Sequence, residues 1–346
     1  MSDVRFDTAG RAGLITLDRP RALNALTLPM VDAMAEALEE WAADDRIARV
    51  AIRAEGKAFC AGGDVRDVYV RREDASGFFA NEYRLNTRIK TYPKPYVALL
   101  DGVTMGGGVG VSMHGSHVVA SENLVFALPE TGIGLFPDVG SSHLLSRLPG
   151  GAGMHLGLTG QRLRRDAAAV LGLVTHPAEA ARLGDTLDRI AHARDIDAAL
   201  AELVVETEPR EAETAEAFDR AFAGDSVAQI VERLGEEEVP AAADAAAAIA
   251  AASPTSLSIT FEAIRRAKDL SFPEAMRMEF RIVSRVLRGH DLYEGIRATL
   301  IDKDRSPQWS PATLDGIAAE ALAAHFDEAP EGDLDLGAFD DPGKAS

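Results

Sequence analysis

The hydrophobic rhythm of the chain changes about halfway along. In the first half, short apolar runs alternate with helix-length segments. Ala12 to Leu17 and Val50 to Arg53 read as strands, with a helix from about Pro29 to Asp44 between them. Leu26-Thr27-Leu28-Pro29 offers that helix a threonine cap and a proline in its first turn. A second round follows, with Tyr96 to Leu100 as a buried strand, Val109 to His114 as a helix, and His117 to Ala120 and Leu124 to Ala127 as strands. This recurrence predicts an α/β fold built from repeated β-β-α units. Beyond about residue 150 the strand signals fade, and Asp166 to Leu171, Ser256 to Lys268 and Phe272 to Leu287 read as helices. Residues 241 to 252 are almost all alanine, a low-complexity stretch of high helix propensity. The expected organisation is a core over 1–200, a helical C-terminal region over 201–310, and a terminal helix with an acidic tail over 311–346. From Asp327 to Asp341 there are seven acids and no base, which predicts a solvated tail.

Composition narrows the function classes. The chain has 346 residues, 47% hydrophobic and 26% charged, as expected of a folded protein with a large core. A formal net charge of −19 argues against a grip on nucleic acid or on an anionic membrane, so an anionic ligand must meet a local basic or dipolar site. Cys60 is the only cysteine, which excludes an intrachain disulfide and fits a reducing compartment. The first residues carry acids where a secretion signal needs bases, and no stretch reaches the about 18 apolar residues of a membrane span. A cytoplasmic location is the expectation.

Two glycine turns and two carboxylates are the candidate chemistry. Gly106-Gly107-Gly108 follows a strand and opens an apolar run; it can serve as a plain turn, or it can bring a backbone N–H to a ligand oxygen at the positive end of a helix. Neither the P-loop nor the dinucleotide pattern fits, because no Gly-Lys-Ser/Thr follows and Val111 and Met113 stand where glycine is needed. In Cys60-Ala61-Gly62-Gly63-Asp64, Asp64 reads as a helix cap; paired with Gly107, the same turn becomes an oxyanion hole. Glu130 and Asp138 lie on the loop Pro129 to Asp138, beside Ile133, Leu135 and Phe136. Asp138 suits an N-cap for a helix from Val139 to Leu148 as well as it suits catalysis, and burial against the apolar wall would fit Glu130 for general-base or nucleophilic work. Cys60 reads as a packing residue. His114 and His117 fall on either side of the Gly115 stop, so no metal site is expected.

These residues resemble the crotonase (enoyl-CoA hydratase/isomerase) superfamily. The resemblance rests on Leu17-Asp18-Arg19-Pro20-Arg21-Ala22-Leu23-Asn24-Ala25-Leu26, Lys57 to Asp64, Gly106-Gly107-Gly108, Pro129-Glu130 and Leu158-Thr159-Gly160, in the family's order. It implies a crotonase-like spiral of repeated β-β-α units with a C-terminal helical region, acting on an acyl-CoA. Within the superfamily, Lys94 to Leu99, Thr104 to Gly110, Pro129 to Gly140, Arg288-Gly289-His290-Asp291 and Leu300 to Asp304 are more similar to the 3-hydroxyisobutyryl-CoA hydrolases, which implies thioester hydrolysis in valine breakdown.

By that resemblance Glu82, Gly107, Glu130 and Asp138 line the acyl site, Ala61 and Gly107 form the oxyanion hole, and Gly62, Gly63 and Asp64 border the substrate. Arg21, Ala22 and Leu23 contact coenzyme A, with Arg297 and Lys303 as further basic candidates. Coenzyme A enters as part of the substrate, and no separate cofactor is expected. Hydratases of this fold carry their first glutamate where this chain has Gly110, and tend to carry glycine where it has Asp138. The shift of the second acid favours hydrolysis over the alternatives, an enoyl-CoA hydratase or isomerase and a non-catalytic acyl-CoA-binding protein. Subunit association stays open between a trimer packed through the C-terminal helices and an extension folded back on its own core.

Overall fold

The computed structural model describes residues 3–207, 212–329 and 332–337. Its strands are β1 (Val4–Ala9), β2 (Ala12–Leu17), β3 (Arg49–Ala54), β4 (Ala58–Cys60), β5 (Tyr96–Leu100), β6 (Val103–Met105), β7 (His117–Ala120), β8 (Val125–Ala127) and β9 (His176–Pro177). They form two sheets, one in the order β1-β2-β3-β5-β7-β9 and one in the order β4-β6-β8. Among these strands, only β1 and β2 pair antiparallel with each other.

This order makes the repeat visible. Each of the pairs β3/β4, β5/β6 and β7/β8 adds one strand to the large sheet and the next to the small one, so the chain winds between two parallel layers as the β-β-α reading predicts. Parallel strands buried on both faces read as continuous apolar runs, and Tyr96–Leu100 is buried at every position.

The early helices are α1 (Leu28–Ala43), α2 (Val65–Arg71), α3 (Ser76–Lys90), α4 (Gly107–Gly110) and α5 (Ser141–Leu145). Three differ from expectation. Thr27 holds the N-cap position of α1 without a capping side-chain bond. The helix expected over 109–114 begins two residues early and lasts one turn, because Ser112 Oγ donates back to the Gly108 carbonyl at 2.6 Å and Gly115 abuts the Tyr96 ring. α5 begins at Ser141 behind Gly140, so Asp138 is not its cap.

The helices Pro254–Ala267 and Phe272–Val286 fold back on the chain's own core, where Ile259, Ile264, Met276 and Val283 join the cluster that holds β2, β3 and α1. Packing therefore runs across residues 200 and 310. A second apolar cluster joins Phe218–Phe222, Ile230, Leu234 and the alanine-rich helix Pro240–Ala251. The acidic segment is not simply solvated: Leu334 and Leu336 are buried, and Arg281 pairs with Asp333. Residues 330–331 and 338–346 of that segment lie outside the described residues.

Candidate active site

The small sheet gathers the site. β4, β6 and β8 are parallel, so their carboxyl ends meet at one edge, the place where open parallel sheets bind ligands. β4 runs into Ala61-Gly62-Gly63, β6 into Gly106-Gly107, and β8 into Pro129-Glu130. All seven residues line one cavity of about 470 Å³. Glu82 from α3 and Asp138 from the following loop complete its polar wall, against Phe78, Phe79, Ile133, Leu135 and Val139.

The backbone donors settle differently from the expected pair. Ala61 lines the cavity, but its N–H is donated to the Leu23 carbonyl at 3.0 Å and is not free for a substrate oxygen. The Gly63 and Gly107 N–H groups have no acceptor among the described residues. They converge, since a Cβ built on Gly107 would lie 3.2 Å from the Gly63 nitrogen. That Cβ would also lie 2.4 Å from Glu82 Oε1, so any side chain here would displace this carboxyl. The donor pair on offer is Gly63 with Gly107.

Three carboxyls share the cavity. Burial, reinforced by the Asp138 charge, pushes Glu82 and Glu130 well above the ordinary glutamate range. Glu82 Oε1 and Glu130 Oε2 have no protein partner. Burial also raises Asp138, to about 7, against the opposing pull of the Tyr83 hydroxyl, which donates to Asp138 Oδ2 at 2.8 Å. Glu82 and Tyr83 are neighbours on α3, so one turn of helix supplies both a carboxyl and the group that orients another.

Other expected residues lie at the rim or elsewhere. Asp64 sits at the N-cap position of α2 without capping it; its carboxylate pairs with Arg19 at 2.9 Å and does not line the cavity. Arg21, Ala22 and Leu23 form a short turn outside the cavity wall, tied to it through the Leu23 carbonyl. Arg21 is exposed. Arg297 is held by Glu294, Asp302 and Asp304 at 2.6–2.8 Å, which removes it as a free phosphate ligand, whereas Lys303 is exposed. Burial pushes the Cys60 thiol up to about 12, in keeping with a packing role. His114 bonds the Val139 carbonyl and His117 bonds Asp197, so the two histidines serve different elements.

Several contributors were not singled out from sequence. Among the described residues, Arg162 at the mouth is the one basic residue of the cavity wall, which Thr299 and Leu300 close from the C-terminal side. Asn24, fully buried in the Asp18–Leu26 motif, accepts from the Arg19 N–H and donates to the Glu55 and Ala58 carbonyls, tying the Arg21 turn to β4. Its place between a proline turn and an apolar run is the signal that could have found it.

The sequence profile of the enoyl-CoA hydratase/isomerase family matches residues 12–326. The chain is 42% identical to the mitochondrial 3-hydroxyisobutyryl-CoA hydrolase of Danio rerio, over 97% of this chain and 92% of that protein. It is 38% identical to the protein of the same name from Homo sapiens, over 96% and 90%. Among solved structures, a carnitinyl-CoA dehydratase from Mycobacterium thermoresistibile is 40% identical with a TM-score of 0.92, covering 97% of this chain and 99% of that one. An enoyl-CoA hydratase from Rhodobacter sphaeroides is 37% identical with a TM-score of 0.88, covering 96% and 100%. The fold is shared with both solved structures, while the four names divide between hydrolase and hydratase or dehydratase.

Proposed function

The chain belongs to the enoyl-CoA hydratase/isomerase family, and from that premise we propose that it is a thioester hydrolase, converting 3-hydroxyisobutyryl-CoA and water to 3-hydroxyisobutyrate and coenzyme A, a step of valine breakdown. The observation that carries hydrolysis over hydration is the state of position 110. A Cβ there would lie 2.7 Å from Asn86 Nδ2 and 2.9 Å from Val139 Cβ. The space a hydratase gives to its first glutamate is filled by other side chains, and the acids stand instead at Glu82, Glu130 and Asp138.

In this reading the thioester carbonyl oxygen accepts from the Gly63 and Gly107 N–H groups. Each such donor is worth about 3–4 kcal/mol to the transition state in a site that excludes water. Glu130 acts on the carbonyl carbon, taking a proton from the attacking water or attacking directly to give a mixed anhydride. On the water route, collapse of the tetrahedral intermediate breaks the C–S bond and the sulfur leaves as the thiol with the proton Glu130 took from water. On the anhydride route the thiol takes its proton from Asp138, and water then cleaves the anhydride, releasing the acid, freeing Glu130 and returning a proton to Asp138. Asp138, with Oδ2 held by Tyr83, turns its other oxygen to the substrate hydroxyl. The exposed Arg21 turn and Arg162 meet the phosphates of coenzyme A, a local basic rim on an acidic protein. The chemistry draws on no cofactor beyond water.

No single helix among the described residues is long and apolar enough to cross a membrane. The cytoplasmic location expected from the sequence gains no support from the curated relatives, which are named mitochondrial.

The test is a parallel assay of purified protein with 3-hydroxyisobutyryl-CoA, following free thiol, and with crotonyl-CoA, following loss of the enoyl-thioester absorbance. Thiol release without enoyl consumption is expected. Hydration without thiol release overturns the reading, and trapping with hydroxylamine separates the anhydride from the water route.

A further inference from the structure

Glu279 lies on the helix Phe272–Val286, far along the chain from every motif of the site, and is fully buried. Its two carboxylate oxygens are both occupied by the turn that follows Asp138. Oε2 accepts the Gly140 N–H at 2.6 Å, and Oε1 accepts the Ser142 N–H at 3.0 Å and the Ser142 hydroxyl. A buried carboxyl given three donors from one loop fixes that loop.

The turn needs fixing. Val139 has φ +54° and Gly140 has φ +84°, two successive left-handed residues. For glycine this is free, but for a β-branched valine it is strained and persists only where the surroundings over-determine it. Those surroundings are visible: His114 Nε2 donates to the Val139 carbonyl at 2.7 Å, and Glu279 holds the next N–H. The residue before the strained pair is Asp138, and the strained residue itself lines the acyl cavity.

We propose that Glu279 is a positioning residue for the reaction: by clamping the Val139–Gly140 turn from outside the cavity, it aims the Asp138 carboxyl at the acyl group. This rests on the reading of Asp138 as a substrate-facing acid. Tyr83 fixes one oxygen of Asp138, and Glu279 fixes the backbone that carries it, so the acid is held at both ends. The simpler alternative is a staple for the short helix α5, where Glu279 also accepts the N–H groups of the N-cap Gly140 and of Ser142.

Glu279→Gln separates the two. Glutamine has one carbonyl oxygen and can accept only one of the two backbone N–H groups that the carboxylate accepts. With folding at the assay temperature confirmed by near-ultraviolet circular dichroism, the expected result is kcat for 3-hydroxyisobutyryl-CoA hydrolysis down about 10- to 100-fold with KM within about twofold, the signature of a misaimed group rather than lost binding. Ser142→Ala, which removes one donor and leaves both N–H contacts, should fall between the parent and Glu279→Gln, and it carries the test if the glutamine variant does not fold. A folded Glu279→Gln or Ser142→Ala protein with the parent's kcat, or with kcat and KM both altered in step with unfolding, overturns the proposal in favour of the staple. Asp138→Asn is run beside them. If it hydrolyses substrate as the parent does, the underlying reading of Asp138 fails; if it is crippled while Glu279→Gln is not, only the positioning role fails.

Discussion

At Asp138, the role proposed in hydrolysis and the stability of the fold pull against each other, and the conflict has a measurable sign. Burial pushes the carboxyl from its ordinary 3.8 up to about 7 in the folded site. Between those values the unfolded chain releases the proton while the native chain keeps it, so native stability falls as pH rises from about 4 to about 7. A shift of that size corresponds to at most about 4 kcal/mol. Asparagine removes the titration and still accepts from Tyr83. Asp138→Asn should therefore melt above the parent at pH 8, with a gap that narrows toward pH 4; thermal melts across that range check it, and a gap that does not change with pH would mean Asp138 is not desolvated as described. Glu130→Gln keeps the shape of the cavity and should abolish turnover while coenzyme A still binds, which titration calorimetry alongside the thiol assay would show; substantial residual activity removes Glu130 from the chemistry. At Gly110 the crowding by Asn86 and Val139 makes Gly110→Ala cost about 1–3 kcal/mol in denaturant unfolding despite alanine's better helix propensity. A variant as stable as the parent would show that the space is not closed.

The elements show which parts of this architecture could be read from the chain. Strands buried on both faces, such as Tyr96–Leu100, announce themselves as apolar runs, and the glycine turns stood out by composition, but β4 and β6, three residues each, are too short to show as strands, so the sheet edge that builds the site was not legible. What pattern cannot show is which N–H a turn leaves unused. Ala61 and Gly63 are two residues apart, and the choice between them depends on the Leu23 carbonyl, which the Asn24 knot places against Ala61. Asp138 likewise matched a cap by spacing, and only the left-handed Val139 and Gly140 delay the helix to Ser141. Asn24 is where this tertiary ordering is most exposed to test. Asn24→Ala strips an acceptor from the Arg19 N–H and donors from the Glu55 and Ala58 carbonyls, all at a buried position. The expected cost is about 2–4 kcal/mol, read by urea unfolding, together with a loss of kcat as the Ala61–Gly63 loop loses its anchor. Unchanged kcat in the folded variant would uncouple the knot from the donor pair.

At the scale of the whole molecule, the C-terminal segment closes the structure behind the site. Gly332 to Gly337 looked like part of a solvated acidic tail because Asp327 to Asp341 holds seven acids and no base, yet Leu334 and Leu336 are buried in the main core. Two contacts tie the segment down: Arg281 takes Asp333 in a two-pronged ion pair, and Arg84 donates to the Asp335 carbonyl at 2.9 Å. Arg281 lies on the helix that carries Glu279, and Arg84 lies on α3, which carries Glu82 and Tyr83. The segment thus bridges α3, which carries Glu82, and the helix that carries Glu279, without reaching the cavity itself. Ending the chain at residue 331 removes two buried leucines, each worth about 1.5–3 kcal/mol, along with the bridge. Such a protein should melt several degrees lower and, where still folded, show a lower kcat with little change in KM, because the helices that aim Glu82 and Asp138 lose a shared brace while the mouth of the cavity is untouched. If the truncated protein melts as the full chain does, the burial of Leu334 and Leu336 contributes nothing. If it melts lower but keeps full kcat, the bridge stabilises the fold without reaching the chemistry, and the aim of the acids is set closer in, at Tyr83 and Glu279.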